Sequence, residues 1–126
     1  MQDYRKLTVW QKAHVVALGI HRVTEAIPRR GNSELINQIR RAALSIPANI
    51  AEGCARATDL EFAKFLQTAV GSSSELEYHL HFAADADLLR KEDFAARQAE
   101  IVEVRRMLIG LIKRLLGAHS AAPLSR

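Results

Sequence analysis

With Cys54 as its single cysteine, the chain can form no internal disulfide and no cysteine-rich zinc site. Aromatic residues make up only 6%, too few for a base-stacking platform. No stretch approaches the roughly 20 uninterrupted apolar residues of a membrane span. Met1-Gln2-Asp3-Tyr4-Arg5-Lys6 lacks the apolar segment of a secretion signal, so a cytoplasmic location is expected. Neither a phosphate loop nor a nucleophile elbow occurs, and Gly110 and Gly117 stand alone. His14 and His21 are seven residues apart. His79 and His81 are two apart and do not share a helical face, so no metal site and no cofactor is expected. Ser72-Ser73-Ser74 offers hydroxyls, but a mid-helix serine turns its hydroxyl to its own backbone. An enzyme is therefore not expected.

What is present is helical periodicity. Over 126 residues and 14.0 kDa, a length for one domain (1–126), four segments carry it. Val9, Ala13, Val16, Ile20, Val23 and Ile27 form the first stripe, opened by a Thr8/Gln11 capping box and stopped by Pro28 and Gly31-Asn32. The second, capped by Asn32 or Ser33, carries Leu35, Ile39, Ala42, Ile46 and Ile50. Ile36 and Ala43 lie beside that stripe, Pro47 predicts a kink without a break, and Gly53 marks the end. Thr58 and Glu61 box the third, whose inward positions are Phe62, Phe65/Leu66, Ala69, Ser73, Leu76, Leu80 and Ala83. Its small residues 71–74 imply a close neighbour. The fourth runs from about Lys91 to Leu116 through Phe94, Ile101, Val104, Leu108, Leu111 and Leu115, with Gly117 as its stop. The spacing predicts an all-α, antiparallel up-down-up-down four-helix bundle with an ordered core over 4–116 and a frayed tail over 117–126.

Charge is segregated. The formal net charge is +4, but residues 1–56 carry 9 Lys/Arg against 4 Asp/Glu, 57–104 carry 4 against 10, and 105–126 carry 5 against none. Two uses fit: pairing of opposite faces between copies, or anion binding by the basic segments. Lys12, Arg22, Arg29, Arg30, Arg105, Arg106, Lys113 and Arg114, with Arg5 and Lys6, would merge into one patch if the first and fourth helices are neighbours. Arg40/Arg41 and Glu75/Glu77 border apolar stripes, so an Arg–Glu bridge between helices or subunits is expected. Arg41, Asn49, Glu52 and Glu75 form the expected structural polar network, with Asn49 and Glu52 clamping the chain after Pro47.

Two strings are more specific. Leu7-Thr8-Val9-Trp10-Gln11-Lys12-Ala13-His14 is the first. Gln38-Ile39-Arg40-Arg41-Ala42-Ala43-Leu44-Ser45-Ile46-Pro47-Ala48-Asn49-Ile50-Ala51-Glu52-Gly53 is the second. Together with Glu61-Phe62-Ala63-Lys64-Phe65-Leu66, Ala69, Gly71-Ser72 and Glu75-Leu76-Glu77, the chain resembles the four-helix-bundle proteins encoded in intervening sequences of bacterial 23S ribosomal RNA genes. The resemblance covers about residues 4–116. It implies a bundle that assembles into a ring, commonly a homopentamer. It also implies kinship with the accessory protein of diversity-generating retroelements, where a basic barrel binds nucleic acid and a reverse transcriptase. By that likeness Arg40 and Arg41 join the basic groups above as RNA or DNA contacts. The expected function is a non-enzymatic oligomer that binds RNA or DNA; the alternative is a protein–protein assembly or adaptor module without nucleic acid.

Overall fold

A computed structural model describes residues 2–124, and side chains through Gly117. A short 3₁₀ turn (Tyr4–Lys6) leads into four helices: α1 (Thr8–Thr24), α2 (Ser33–Cys54), α3 (Asp59–Asp85) and α4 (Lys91–Leu124). Among the described residues there is no strand. Helices consecutive in sequence pack on one another, and α4 closes the square against α1. The short connections make neighbours antiparallel, the up-down-up-down order expected.

The four stripes meet in one core. Val9, Ile39, Leu76 and Leu108, one per helix, are all at least 95% buried. Around them lie Ala13, Val16, Ile20, Ile46, Ile50, Leu66, Leu80, Ile101 and Val104. Each large aliphatic side chain buried in this way contributes about 1.5–3 kcal/mol. In α2 the expected order is reversed: Ile36 is fully inside and Leu35 only partly. Leu35 sits near the helix start, where the stripe drifts toward the edge.

Helix ends differ more from expectation. The Thr8/Gln11 capping box does not form. Leu7 is the N-cap residue and makes no side-chain cap bond, and Gln11 Nε2 donates instead to the Arg5 carbonyl at 2.9 Å. The 3₁₀ turn presents that acceptor directly above the helix and captures the amide. α1 stops at Thr24, whose hydroxyl bonds back to the Ile20 carbonyl (2.8 Å). Ile27 is still buried, from the turn that follows. That turn contains Gly31 at φ +85°, a left-handed conformation open to glycine. Asn32 and Ser33 cap nothing with their side chains; they donate to the Pro28 and Arg29 carbonyls.

α2 passes Pro47 unbroken, since the ring removes only one ladder bond. At α3 the N-cap half of the box forms: Thr58 Oγ1 accepts from the Glu61 amide at 3.2 Å, while the Glu61 carboxylate accepts from the Thr58 hydroxyl instead of its backbone N–H. α3 closes with a Schellman motif, with Leu88 N–H on the Ala83 carbonyl (2.8 Å) and Asp87 N–H on Ala84 (3.1 Å). Asp87 occupies the left-handed position (φ 61°) usually given to glycine. α4 does not end at Leu116. Its backbone stays helical to Leu124, because a lone glycine such as Gly117 costs only about 1 kcal/mol and cannot stop a helix unaided. The remainder of the expected tail, Ser125 and Arg126, lies outside the described residues.

α2 and α3 make the most extensive pairing. Gly53 shows why: a Cβ there would sit 2.8 Å from Phe62 Cδ1 and 3.0 Å from Phe65 Cβ. Helix propensity alone favours alanine at this site by about 1 kcal/mol. The contact predicts the opposite sign. Gly53→Ala is expected to lower stability by about 1–3 kcal/mol through overpacking, read from the urea midpoint.

Candidate nucleic-acid interface

The basic residues do not form one patch. α1 and α4 are neighbours, as the merged patch requires. Along the middle of their seam, however, the cations are paired. Lys12 Nζ meets Glu103 Oε1 at 2.5 Å, and Arg97 Nε lies 3.3 Å from Glu100. Arg105 turns away to α3, where Nη2 donates to Glu77 Oε1 at 2.7 Å. Lys12 and Arg105 are therefore neutralised, and Arg5, expected in the patch, pairs with Asp3 (3.0 Å).

At one end, Lys6, Arg106 and Arg114 line a groove of about 470 Å³ with Thr8, Gly110 and Leu111. Arg106, Gly110 and Arg114 recur every four residues, so they stand on one face of α4. The absent side chain at Gly110 leaves the floor between the two guanidinium groups open. No carboxylate lines this groove, and none of its three cations is in an ion pair among the described residues. Exposed Lys113 adjoins it. Antiparallel packing brings the start of α1 and the second half of α4 to the same end, which merges two segments about 100 positions apart.

At the opposite end, His21, Arg29 and Arg40 line a hollow of about 480 Å³ beside Thr24 and Glu25. Arg40 is tied down: Nε donates to Thr24 Oγ1 (2.8 Å) and Nη2 to the His21 carbonyl (3.2 Å). It holds α2 to α1 and presents only part of its guanidinium outward. Arg22, Arg30 and Arg41 are exposed. Glu25 makes this end mixed in sign, unlike the first groove.

The expected network of Arg41, Asn49, Glu52 and Glu75 does not form within the chain. Arg41 and Glu75 are exposed and make no hydrogen bond or ion pair among the described residues. Glu52 pairs with Arg56 one turn on (3.1 Å). Asn49 donates to the Ser45 carbonyl and hydroxyl, and Ser45 Oγ meets Ser72 Oγ across the α2–α3 seam at 2.7 Å. The interhelical Arg–Glu bridge exists, but between Glu77 and Arg105. One residue decides it: Glu77 is four positions after Ser73 and faces α4, while Glu75 faces out. Gln98 completes the cluster by donating to Glu77 Oε2 at 2.8 Å. Gln98 and Arg105 carried no sequence signal as a pair, because they are seven apart on α4 and meet only through α3. Ser73, fully buried, donates to its own Val70 carbonyl (2.6 Å) as a packing residue. Burial pushes the Cys54 thiol above its ordinary value, away from the reactive thiolate. No cluster of metal-ligating side chains occurs among the described residues. No helix among them is long and apolar enough to cross a membrane.

The family model of the 23S rRNA-intervening sequence protein matches residues 5–110. The chain belongs to that family. The match contains α1 to α3 and most of α4, including Lys6 and Arg106 of the groove but not Arg114. Among solved structures, the chain is similar to a protein of unknown function from the S23 ribosomal protein family of Bacteroides thetaiotaomicron. The two share 24% identity over 84% of this chain and 99% of that one, with a TM-score of 0.76. That likeness speaks for the fold. No curated protein matches the chain. The resemblance in the Val-Trp-Gln-Lys-Ala and Ser-Ile-Pro-Ala-Asn-Ile-Ala-Glu-Gly strings thus agrees with the family match. In this 23S rRNA-intervening sequence family member both strings map to structural duties. Val9, Ala13, Ile46, Pro47 and Ile50 are core, and Trp10 stacks on His14 at 4.9 Å.

Glu77 yields a pH prediction. Its carboxyl is held below the usual carboxylate range, first by the Gln98 amide and then by Arg105. A carboxyl with a lowered folded-state value contributes stability that is complete above the unfolded value and is lost as pH falls through the folded one. Stability is therefore expected to fall on acidification below the usual carboxylate range. Glu77→Ala should cost about 1–2 kcal/mol at pH 7 and flatten that fall, measured by urea unfolding across pH.

Proposed function

We propose that this protein is a non-enzymatic, homo-oligomeric helical bundle that binds RNA or DNA through the basic groove at the α1–α4 end. One observation carries the reading: Lys6, Arg106 and Arg114 converge on a groove without a carboxylate, while cations elsewhere on the same seam are paired. An unpaired guanidinium held beside a second one, with a lysine and a threonine hydroxyl opposite, suits phosphate oxygens. Such contacts position a nucleic-acid backbone and carry no base preference.

The low aromatic content is consistent with backbone contact instead of base stacking. A homo-oligomer, five-fold by the family resemblance, would repeat the groove and multiply the phosphates neutralised. A protein partner such as a reverse transcriptase would then be recruited by the outer surface of the assembly. The alternative, an assembly or adaptor module without nucleic acid, draws on the exposed apolar side chains Leu44, Tyr78 and Phe82.

A titration separates the two. Structured RNA and duplex DNA are each titrated with the chain at about 50 and 200 mM salt. Affinity should fall steeply with salt by counterion release. The triple variant Lys6→Ala/Arg106→Ala/Arg114→Ala should weaken binding at low salt and reduce the magnitude of the log–log salt slope by about 2 to 3. No binding at the lower salt, with the assembly intact, removes the nucleic-acid reading and leaves the adaptor.

A further inference from the structure

Single exposed apolar residues are ordinary on a monomer. Here they fall in two groups. On α3, Tyr78 and Phe82 are 62% and 50% exposed and stand one turn apart on the same outward ridge. Glu75, one turn before Tyr78, is exposed and without a partner. The second group spans α1 and α2. The bond from Arg40 to the His21 carbonyl sets the level of these antiparallel helices. One turn further along the seam, Leu44 on α2 and Leu18 on α1 come to the same height. They are 62% and 43% exposed. Arg41 and Arg22 flank them, both exposed and unpaired among the described residues.

The two groups match in kind and oppose in charge. Each offers two bulky apolar side chains with a free charge one turn away, acidic on α3 and basic on the α1–α2 seam. The segments that carry them have net charges of −6 and +5. Leu18 cannot meet the α3 ridge within one chain, because α1 and α3 sit at diagonal corners of the bundle and do not pack together, and Arg41 and Glu75, although carried by neighbouring helices, make no ion pair with each other. We infer that the α3 ridge of one copy docks on the α1–α2 seam of a second copy. Tyr78 and Phe82 cover Leu18 and Leu44, and Glu75 pairs with Arg41. Because the two faces are different, the contact is head-to-tail, and each copy keeps one face of each kind free for the next. Repetition yields a closed ring when the rotation permits, and an open filament otherwise. The pairing accounts for Arg41 and Glu75, which border apolar stripes yet find no partner inside the protomer. It rests on the homo-oligomeric part of the proposed function and specifies the surfaces involved.

The test is a charge exchange, read by multi-angle light scattering and sedimentation without nucleic acid. Circular dichroism checks the fold. Arg41→Glu and Glu75→Arg each place like charges across the contact and should weaken assembly about tenfold or more. The double variant R41E/E75R restores opposite charges and should assemble within a few-fold of the parent. An equimolar mixture of the two single variants should regain association above either variant alone, because each finds a complementary face on the other, although an odd-numbered ring of the mixture keeps one like-charge contact. Tyr78→Asp should dissociate the assembly even at high salt. A parent chain that is monomeric at micromolar concentration overturns the oligomeric reading itself. A parent assembly that all four variants leave intact overturns only this interface, and the oligomeric reading survives.

Discussion

The close approach of α2 to α3 is the contact on which the rest of the molecule is built. Small side chains mark it: Ser45 and Gly53 on α2, and Ser72 on α3. Helices can pack this near only where side-chain volume is small, and dispersion then acts between backbones as well as side chains. The polar atoms this places inside must be satisfied. Ser45 and Ser72 satisfy each other, and Ser73 bonds to its own helix. With α2 and α3 fixed, α1 and α4 lie against their outer flanks and bury the larger aliphatic residues between them.

That arrangement also sorts the charges. Where two helices run side by side, opposite charges find each other across the seam, as Lys12 and Glu103 do. At the ends of the bundle some cations pair with acids close in sequence, as Arg5 does with Asp3 and Arg56 with Glu52, while Lys6, Arg106 and Arg114 have no such neighbour and stay unpaired among the described residues. The half-buried Glu77–Arg105 pair belongs to the first class and acts as a structural tie between α3 and α4. The exposed pairs contribute little to stability, since solvent screens them, but they still cancel the positive field over the middle of the seam.

Membership of the 23S rRNA-intervening sequence family and a shared fold with an S23 family protein of unknown function leave the ligand a matter for the groove itself. The groove holds two arginines and a lysine with no carboxylate and no aromatic platform, which on the proposed reading suits a phosphate backbone. The outward ridge on α3 is of another kind, apolar and acidic, and suits protein. Binding a polyanion at one end while assembling through the sides would place several grooves on a common end of a ring, where one nucleic-acid strand can reach more than one of them.

Helix number, order and core were legible from residues alone, because an apolar side chain every three or four positions has one physical solution in water. Val9, Ile39, Leu76 and Leu108 went inside as their spacing required. Thr58 capped the Glu61 amide as expected because both partners lie within one turn. Thr8 and Gln11 formed no box, because a preceding turn offered a nearer acceptor, a fact of three-dimensional placement. The site was legible only as residue type. Lys6 and Arg114 are separated by most of the chain, and whether they meet depends on helix packing. Likewise, the choice of Glu77 over Glu75 as the bridge depends on a rotation of about 200° around α3, two helical positions. Local pattern determined which helices form and what they bury; tertiary packing alone decided which charges are cancelled and which stay free, because charge pairing depends on distance across seams that sequence order does not encode.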